Sequence, residues 1–547
     1  MKVETRPPAS SPDVGARRTA LAGALAAAVA LATTSLLDAA SRPVPSLVAV
    51  VGQAVIRHTP GFLSRGATES VGTADKPLLL AMIAALTIGI GTRVAAAARR
   101  RPRVGDAAFA AFGLLAVVCA ASLRHVPLGP TLASATVAAV VGALTLRRLL
   151  AAATAAAEPA RRPDPDPSEG TETADPGDGA PGPLAWPGDH TVSRRRFLVA
   201  GSTAAGGAAV LLGGAAGLRR TVGRSDSRAA VILPTPSAPP ASVGGAAPGF
   251  QEVEGLSPLV TPNGSFYRID EALITPSVDV GSWRLQVTGM VDAPFELTYD
   301  ELLALPLVER HITLSCVSNQ VGGSLVGSAK WLGVRLADLL ARAGVQAGAT
   351  QLVGRSVDRF TVGFPVGVAT DGRDALVAVG MNGEPLPTAH GFPARLVVPG
   401  LYGYVSATKW LKEIELTTFD AFDSYWVQRN WAREGPIKVE SRIDVPRDYG
   451  RVQSGPQTVA GVAWAPHRGI GRVEVRVDQG PWQEAALGPV LGDDSWRQWS
   501  WPWTATAGKH DLTVRATTTD GEVQTATKHS PFPDGATGHH QIEVRVS

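Results

Sequence analysis

Cys316 is the only cysteine after residue 220 of this 547-residue chain, and its thiol is the first candidate for chemistry. It ends a strand-like run, His311–Cys316, and a glycine-containing loop follows it. The other cysteine, Cys119, lies in an apolar stretch typical of a membrane helix, so we expect no disulfide between them. Cys316 is then a buried small hydrophobe, a reactive nucleophile or a metal ligand.

Polar groups among glycines and prolines recur downstream of Cys316. They lie at Gly327–Trp331, in the segment from His390 to Arg395, and in a glycine-rich run that continues through Ser406, Ala407 and Lys409. Glycine backbone together with basic and hydroxyl side chains can hold a phosphate. A plain loop is the simpler interpretation of each segment taken alone.

The elements that would position these residues form a mixed α+β domain. Helices are predicted over Asp300–Ala304 and Arg335–Ala343, and Gly344 is a helix stop for the second. The strand-like runs between Gly/Pro turns are Trp283–Thr288, Thr313–Cys316, Gln351–Val353, Phe360–Phe364, Ala375–Val379, Arg395–Val398 and Glu413–Leu416.

From about Val439 onward the apolar pattern has a period of two, which predicts a small β-sandwich. The expected strands are Gln457–Trp464, Gly471–Val477, Trp496–Trp501, His510–Ala516 and Gln541–Val546. Tryptophans are frequent here, and we expect them in the core or in a subunit contact more than at a ligand-facing edge. They are Trp464, Trp482, Trp496, Trp499, Trp501 and Trp503.

The N-terminal part is typical of a membrane anchor. The chain has 45% apolar but only 6% aromatic and 18% charged residues, and the apolar residues concentrate in the first 220 positions. Arginines cluster at the ends of apolar runs, which predicts five crossings with the N-terminus inside and everything after Leu218 outside. One weak run could instead be buried or re-entrant. The five runs are Ala20–Leu37, Leu78–Ala98, Ala107–Leu123, Thr131–Leu150 and Phe197–Leu218.

Two polar segments separate the anchor from the rest. Glu158–His190 is rich in Pro, Gly, Asp and Glu, which predicts a disordered cytoplasmic linker, and Thr221–Gly255 is a second flexible tether. Between them, Ser193–Leu198 resembles a twin-arginine export signal placed inside the chain, with an ordinary positively charged helix flank as the alternative. No cleavage site follows it, so we expect this segment to remain as an anchor.

Taken in order, the motifs from about Val260 to the C-terminus resemble the sulfite oxidase family of molybdenum enzymes. In that family a cysteine after a strand, in a C-x-x-N setting, supplies a thiolate to molybdenum, and Cys316-Val317-Ser318-Asn319 fits this pattern. A soft thiolate suits such a metal. The resemblance implies a molybdenum-cofactor oxidoreductase with molybdenum bound through molybdopterin, and an immunoglobulin-like C-terminal domain that forms a homodimer.

The resemblance also implies the site residues. Cys316 and Arg355 are the expected catalytic residues, with Cys316 as the metal ligand. One residue, Thr408, is extra in the phosphate-binding segment and shifts its register by one. The expected cofactor-binding residues are Asn263, Tyr267, Arg268, Ser356, His390, Arg395, Ser406, Ala407 and Lys409.

One departure leaves the substrate open. Animal and plant members resemble C-A-G-N-R at the cysteine, and that arginine helps to hold sulfite, whereas Gln320 follows Asn319 here. Glutamine cannot replace a charge-assisted, bidentate anion contact. A sulfoxide or another neutral oxygen donor is therefore as admissible as sulfite.

Electron transfer needs a separate carrier. The chain has no C-x-x-C-H haem motif and too few cysteines for an iron–sulfur cluster, so we expect a cytochrome or a quinone-linked protein as partner. The net charge of +3, with arginines at the ends of apolar runs, argues against nucleic-acid binding. A non-catalytic receptor or structural protein with the same fold is the alternative. A transporter is disfavoured because the span interiors lack charged residues.

The sequence thus predicts a multidomain chain with an α-helical membrane anchor, an α+β sulfite-oxidase-like molybdopterin domain and an immunoglobulin-like β-sandwich. The catalytic domain is expected to be extracytoplasmic, attached to the cell membrane. The expected segments are the anchor 1–157, the acidic linker 158–192, the twin-arginine-like motif with the fifth helix 193–220, the tether 221–255, the catalytic domain 256–435 and the sandwich 436–547.

Overall fold

A computed structural model describes residues 14–40, 45–59, 75–123, 126–155, 189–221, 227–237, 250 and 253–547. The chain divides into two compact units between residues 224 and 225. The predicted acidic linker lies outside the described residues up to position 188, and so do positions 222–226, 238–249 and 251–252 of the predicted tether.

The first unit is helical. Among its described residues, five helices are long and apolar enough to cross a membrane, and this is the number that the sequence predicts, while a sixth helix, Leu47–His58, is shorter. The twin-arginine-like motif lies inside the last of the six. The helices are α1 (Val14–Ala40), α2 (Leu47–His58), α3 (Asp75–Ala98), α4 (Pro102–Ser122), α5 (Leu128–Ala155) and α6 (Asp189–Thr221).

The second unit begins with the mixed domain, which contains two sheets. One sheet has the strand order β2-β1-β10-β5-β6, and the other has the order β3-β4-β7-β8 with β9 pairing to β7. The strands are β1 (Arg284–Gly289), β2 (Phe295–Thr298), β3 (Leu307–Ser315), β4 (Val326–Arg335), β5 (Gln351–Ser356), β6 (Thr361–Pro365), β7 (Leu376–Met381), β8 (Glu384–Pro385), β9 (Arg395–Val397) and β10 (Leu411–Thr417).

Short helices connect these strands, and local sequence explains their ends. Thr298 and Glu301 form a capping box at the start of the first, and Gly344 ends the second in the left-handed region at φ 67°. Gly327–Trp331, predicted as a loop, instead lies within β4. The helices are α7 (Tyr299–Leu303), α8 (Leu336–Ala343), α9 (Val366–Thr370) and α10 (Gly403–Ser406).

The C-terminal part has two sheets whose side chains share one core, and we call it the sandwich. Val459 and Trp499 from one sheet pack with Val475 and Val514 from the other, and all four are buried. The sheet orders are β11-β13-β17-β16 and β12-β19-β18-β14-β15. The strands are β11 (Glu440–Val445), β12 (Gly450–Val452), β13 (Gly455–Trp464), β14 (Ile470–Val477), β15 (Gln483–Glu484), β16 (Ala486–Leu487), β17 (Arg497–Ala505), β18 (Gly508–Thr518) and β19 (His540–Val546).

The sandwich and the mixed domain are joined along strand β3. Trp464 and Trp496 of the sandwich belong to the hydrophobic core of the mixed domain. The Thr313 N–H donates to the Asp494 carbonyl at 2.9 Å, and the Trp496 N–H donates to Thr313 Oγ1 at 2.7 Å. Since β3 is an edge strand, these bonds cover polar backbone that would otherwise be free. The strand that leads to Cys316 is thus fixed from both sides.

Candidate active site

A cleft of about 890 Å³, its open mouth included, lies next to the end of β3. Its lining combines one thiol, two basic side chains, carboxylates and a large share of aromatic rings. The lining residues include Phe266, Tyr267, Asp270, Cys316, Phe360, Arg395, Tyr404, Ala407, Lys409, Trp426 and Trp431.

Cys316 is held by a tight turn at the edge of this cleft. Its N–H donates to the Leu325 carbonyl at 2.9 Å, and its carbonyl accepts from the Asn319 N–H at 3.0 Å. Burial raises the pKa of the thiol, while hydrogen bonds from Ser318 and the charge of Lys409 oppose this shift. A bound metal cation would supply the larger compensation that a thiolate needs in this setting.

Two buried cations, Arg395 and Lys409, face the same cleft. Burial lowers the pKa of Arg395 to about 10 and that of Lys409 to about 8. The Lys409 ammonium donates to Asp270 Oδ2 at 3.1 Å, whereas the Arg395 guanidinium donates only to carbonyl oxygens, of His390 at 3.1 Å and Leu396 at 3.3 Å. Within the described part of the chain, no carboxylate forms an ion pair with Arg395. A buried guanidinium of this kind calls for an anionic ligand.

These residues fit a molybdenum–pterin group. Cys316 offers a soft ligand for the metal, and Arg395 with Lys409 offers positive charge for the phosphate of the pterin. Tyr267 stacks on Phe266 with ring centroids 5.3 Å apart, and both rings line the cleft. Burial raises the pKa of Tyr267 well above its usual value, so its hydroxyl stays protonated.

Three of the sequence-predicted residues lie behind the cleft wall. His390 Nε2 lies 3.1 Å from the Asn263 carbonyl, and burial lowers the pKa of His390 to about 4, so the ring is neutral. The Asn263 amide donates to Glu384 and the Arg268 guanidinium pairs with Asp270 at 2.7 Å. These contacts stabilise the segments that contain Tyr267 and Lys409.

Arg355 is not brought into the cleft. Its guanidinium pairs with Glu415 on the neighbouring strand β10 and lies over the Phe422 ring at 4.7 Å. Ser356 is buried, and its N–H donates to the Phe360 carbonyl at 3.0 Å. Arg355 and Ser356 therefore position the turn that places Asp358 and Phe360 in the lining, and neither of the two lines the cleft itself.

The segment after α10 shows how the extra residue is accommodated. Ala407 and Lys409 line the cleft, while the Thr408 side chain packs against Gly354 on the sheet side. Ser406 is buried and its hydroxyl donates to the Tyr402 carbonyl at 3.0 Å, so it stabilises α10 itself. Alternation therefore puts Ala407 and Lys409 on the cleft side and excludes Thr408.

Sequence reasoning missed the aromatic part of the cleft lining and the acidic partner of Lys409. Trp426 packs on Trp431 with centroids 6.1 Å apart, and Trp431 packs on Tyr404 at 5.9 Å. The dense aromatic content of the segment 424–431 between the two domains was the available signal. Asp270 follows Arg268 by two positions, but nothing local pairs it with Lys409.

Comparisons with known proteins agree with this geometry. Residues 272–426 match the family model of the oxidoreductase molybdopterin binding domain. Human mitochondrial sulfite oxidase is 31% identical over 305 residues, which cover 47% of this chain and 55% of that protein. The chain thus spans about half the length of that animal relative.

Two further proteins are similar to this chain. Sulfite oxidase of Arabidopsis thaliana is 30% identical over 280 residues, which cover 42% of this chain and 71% of that protein. The crystal structure of the sulfane dehydrogenase SoxCD from Paracoccus pantotrophus aligns with a TM-score of 0.46 and 22% identity, over 54% of this chain and 82% of that chain. On the identity and coverage of the plant enzyme, together with the molybdopterin-domain match, this chain belongs to the sulfite oxidase family of molybdopterin-dependent oxidoreductases.

Proposed function

We propose that this chain is a membrane-anchored, extracytoplasmic oxidoreductase that exchanges an oxygen atom between a small substrate and water and passes the two electrons to or from a separate carrier. The observation that carries the proposal is the placement of Cys316, Arg395 and Lys409 around one cleft. When bound, the molybdenum–pterin group supplies a two-electron redox centre at which oxygen can be exchanged. Cys316 would hold the metal, and Arg395 with Lys409 would hold the phosphate.

Sulfite and sulfoxides are the two substrate classes that we consider. Sulfite oxidation consumes water and releases sulfate, two protons and two electrons, whereas sulfoxide reduction consumes two protons and two electrons and releases a thioether and water. The relatives named sulfite oxidase favour the first. The aromatic rings of Phe360, Tyr404, Trp426 and Trp431 in the lining favour a neutral substrate, because they offer no cation for an anion.

Gln320 supports the neutral class as well. The side chain that follows Asn319 is exposed, and it lies outside the lining of the cleft. The carbonyl and amide of glutamine could not hold a dianion as a guanidinium does, even if the side chain turned inward. Assays of sulfite oxidation and of sulfoxide reduction with an artificial electron carrier separate the two classes.

The anchor and the sandwich complete the proposal. Helices α1 and α3 to α6 would cross the membrane with the arginine-rich ends on the cytoplasmic side, and the motif at Ser193–Leu198 would direct export of the folded domain. A separate cytochrome or quinone-linked protein would exchange electrons with the site. The sandwich, taken as immunoglobulin-like, would join two copies of the chain. We propose the same domain boundaries that the sequence predicts.

Metal analysis tests the proposal against a non-catalytic protein of the same fold. Purified protein should contain about one molybdenum per chain, and Cys316→Ser should lose it, since a hydroxyl is a poor ligand for a soft site. Cys119→Ser is the matched control and should retain the metal, because Cys119 lies in α4 of the first unit. Well-folded wild-type protein without molybdenum would refute the enzyme.

A further inference from the structure

A buried carboxyl group of the sandwich, that of Glu440, reaches the back of the candidate active site. Glu440 is the first residue of β11 and is only 3% exposed. Its Oε1 accepts from the Tyr402 hydroxyl at 3.2 Å, and its Oε2 accepts from the Asn319 side-chain amide at 3.4 Å. Both partners come from the mixed domain.

Asn319 connects this carboxyl group to the turn that holds Cys316. The Asn319 Oδ1 accepts from the Leu325 N–H at 2.8 Å, and the Leu325 carbonyl accepts from the Cys316 N–H at 2.9 Å. The Asn319 N–H in turn donates to the Cys316 carbonyl at 3.0 Å. Asn319 therefore uses its backbone and both ends of its side chain to fix the turn, and Glu440 holds the amide end.

Tyr402 connects the same carboxyl group to helix α10. It is the residue before α10, and Gly403, Tyr404 and Ala407 in and after that helix line the cleft. The Tyr402 ring is 1% exposed, and its hydroxyl has little room, since a Cβ at Gly535 would overlap it. One carboxyl group thus contacts two residues that are each next to a segment of the cleft lining.

We propose that Glu440 is a positioning residue, supplied by the sandwich, that holds the Cys316 turn and helix α10 at a fixed separation. This inference rests on the proposed function of the cleft. Only a carboxylate can accept from two donors that approach different oxygens, because an amide has one acceptor atom and one donor atom. Burial raises the pKa of Glu440 to about 8, although the bonds from Tyr402 and Asn319 oppose that shift, so the carboxylate that accepts both bonds is the dominant form above about pH 8, where the comparison is made.

The test compares Glu440→Gln with Ser441→Ala in the full-length, cofactor-loaded protein. Ser441 is the next residue on β11, is 1% exposed, and donates to Gln524 inside the sandwich at 2.6 Å. The control therefore removes a buried hydrogen bond from the same strand without touching the cleft. Molybdenum content, amide hydrogen exchange of the 316–325 peptide, the Mo(V) electron paramagnetic resonance spectrum and the kcat to KM split are measured for both.

Glu440→Gln should keep molybdenum and KM close to wild type. The exchange rate of the 316–325 peptide should rise about fivefold, kcat should fall about tenfold, and the Mo(V) spectrum should shift. Ser441→Ala should leave exchange, kcat and spectrum unchanged. Unchanged exchange and spectrum in Glu440→Gln, or the same changes in Ser441→Ala, would overturn the inference.

Tyr402→Phe provides a second, milder variant in case Glu440→Gln fails to fold. It keeps the ring and removes one hydroxyl, so it should shift the same spectrum and increase exchange in the 403–407 peptide. In the double variant with Glu440→Gln, the fall in kcat should be less than the product of the two single effects. If the two falls in kcat multiply in the double variant, Tyr402 and Glu440 act independently, which would contradict the inference. Absence of molybdenum from the wild-type protein would refute the proposed function instead, which keeps the two failures distinct.

Discussion

Replacing Trp496 by alanine should destabilise the second unit far more than the same change at Trp482. Trp496 is 3% exposed, packs in the core of the mixed domain, and donates its indole N–H to the Leu259 carbonyl at 2.8 Å. Truncating a core tryptophan costs about 3–5 kcal/mol. Losing the partly buried hydrogen bond to the Leu259 carbonyl adds about 1 kcal/mol. We expect a loss of about 5 kcal/mol, or about 10 °C at roughly 2 °C per kcal/mol.

Trp482 is the matched control in the same domain. It is partly buried between Arg476 and Arg515, whose guanidinium carbons lie 4.8 Å and 4.3 Å from its ring centroid. Losing two such cation–π contacts costs about 1–2 kcal/mol. Far-ultraviolet circular dichroism of the detergent-solubilised chain during heating measures both midpoints. Midpoints within about 2 °C of each other would refute the shared core of sandwich and mixed domain.

Three further changes test other parts of the molecule. Burial raises the pKa of Asp494 to about 7, so its protonated form contributes stability that is lost as pH rises from about 4 to 7. The free energy of unfolding of Asp494→Asn, measured in urea, should therefore increase by about 2 kcal/mol relative to that of the wild type between pH 5 and 7. Curves of unfolding free energy against pH that run parallel for the two proteins would contradict this. Lys409→Met removes one of the two cations that face the cleft and should reduce bound pterin more than tenfold, measured by fluorescence of the released pterin. Alanine at Gly91 would overlap the backbone of α1 and should destabilise the anchor by about 1–3 kcal/mol in thermal melts, whereas alanine at Gly89, which faces open space, should not.

Sequence patterns located most strands of the mixed domain because their apolar runs are short and bounded by turns. The exceptions are the short strands β2 and β8 and the long strand β4, whose Gly327–Trp331 portion resembles a loop in composition. This strand pairs with β3 on one side and β7 on the other, and most of its residues are buried. A central strand buried on both faces shows no alternation of polar and apolar residues, so period-two patterns cannot find it.

The site was predictable where one short segment carries the chemistry, and unpredictable where distant residues meet. Cys316, Tyr267 and Lys409 belong to such segments, and the structure brings them to one cleft. Arg355 was expected there, but its charge is neutralised by Glu415, a strand neighbour 60 positions away. Only strand pairing reveals that contact. The pairing of Lys409 with Asp270 could not be predicted either, because 139 positions separate the two residues in the sequence.

The position of the sandwich changes what its sequence should be expected to control. A domain that served only to join subunits would leave the cleft complete without it. Here the strand leading to Cys316 donates an edge hydrogen bond to the Asp494 carbonyl, and the Phe532 ring of the sandwich packs 5.4 Å from the Trp431 ring in the cleft lining. Glu440 of the sandwich also accepts a hydrogen bond from Asn319 in the turn after Cys316. Substitutions in the sandwich can therefore alter the geometry of the cleft, and with it kcat, within a single chain, and such an effect would not by itself indicate a subunit contact.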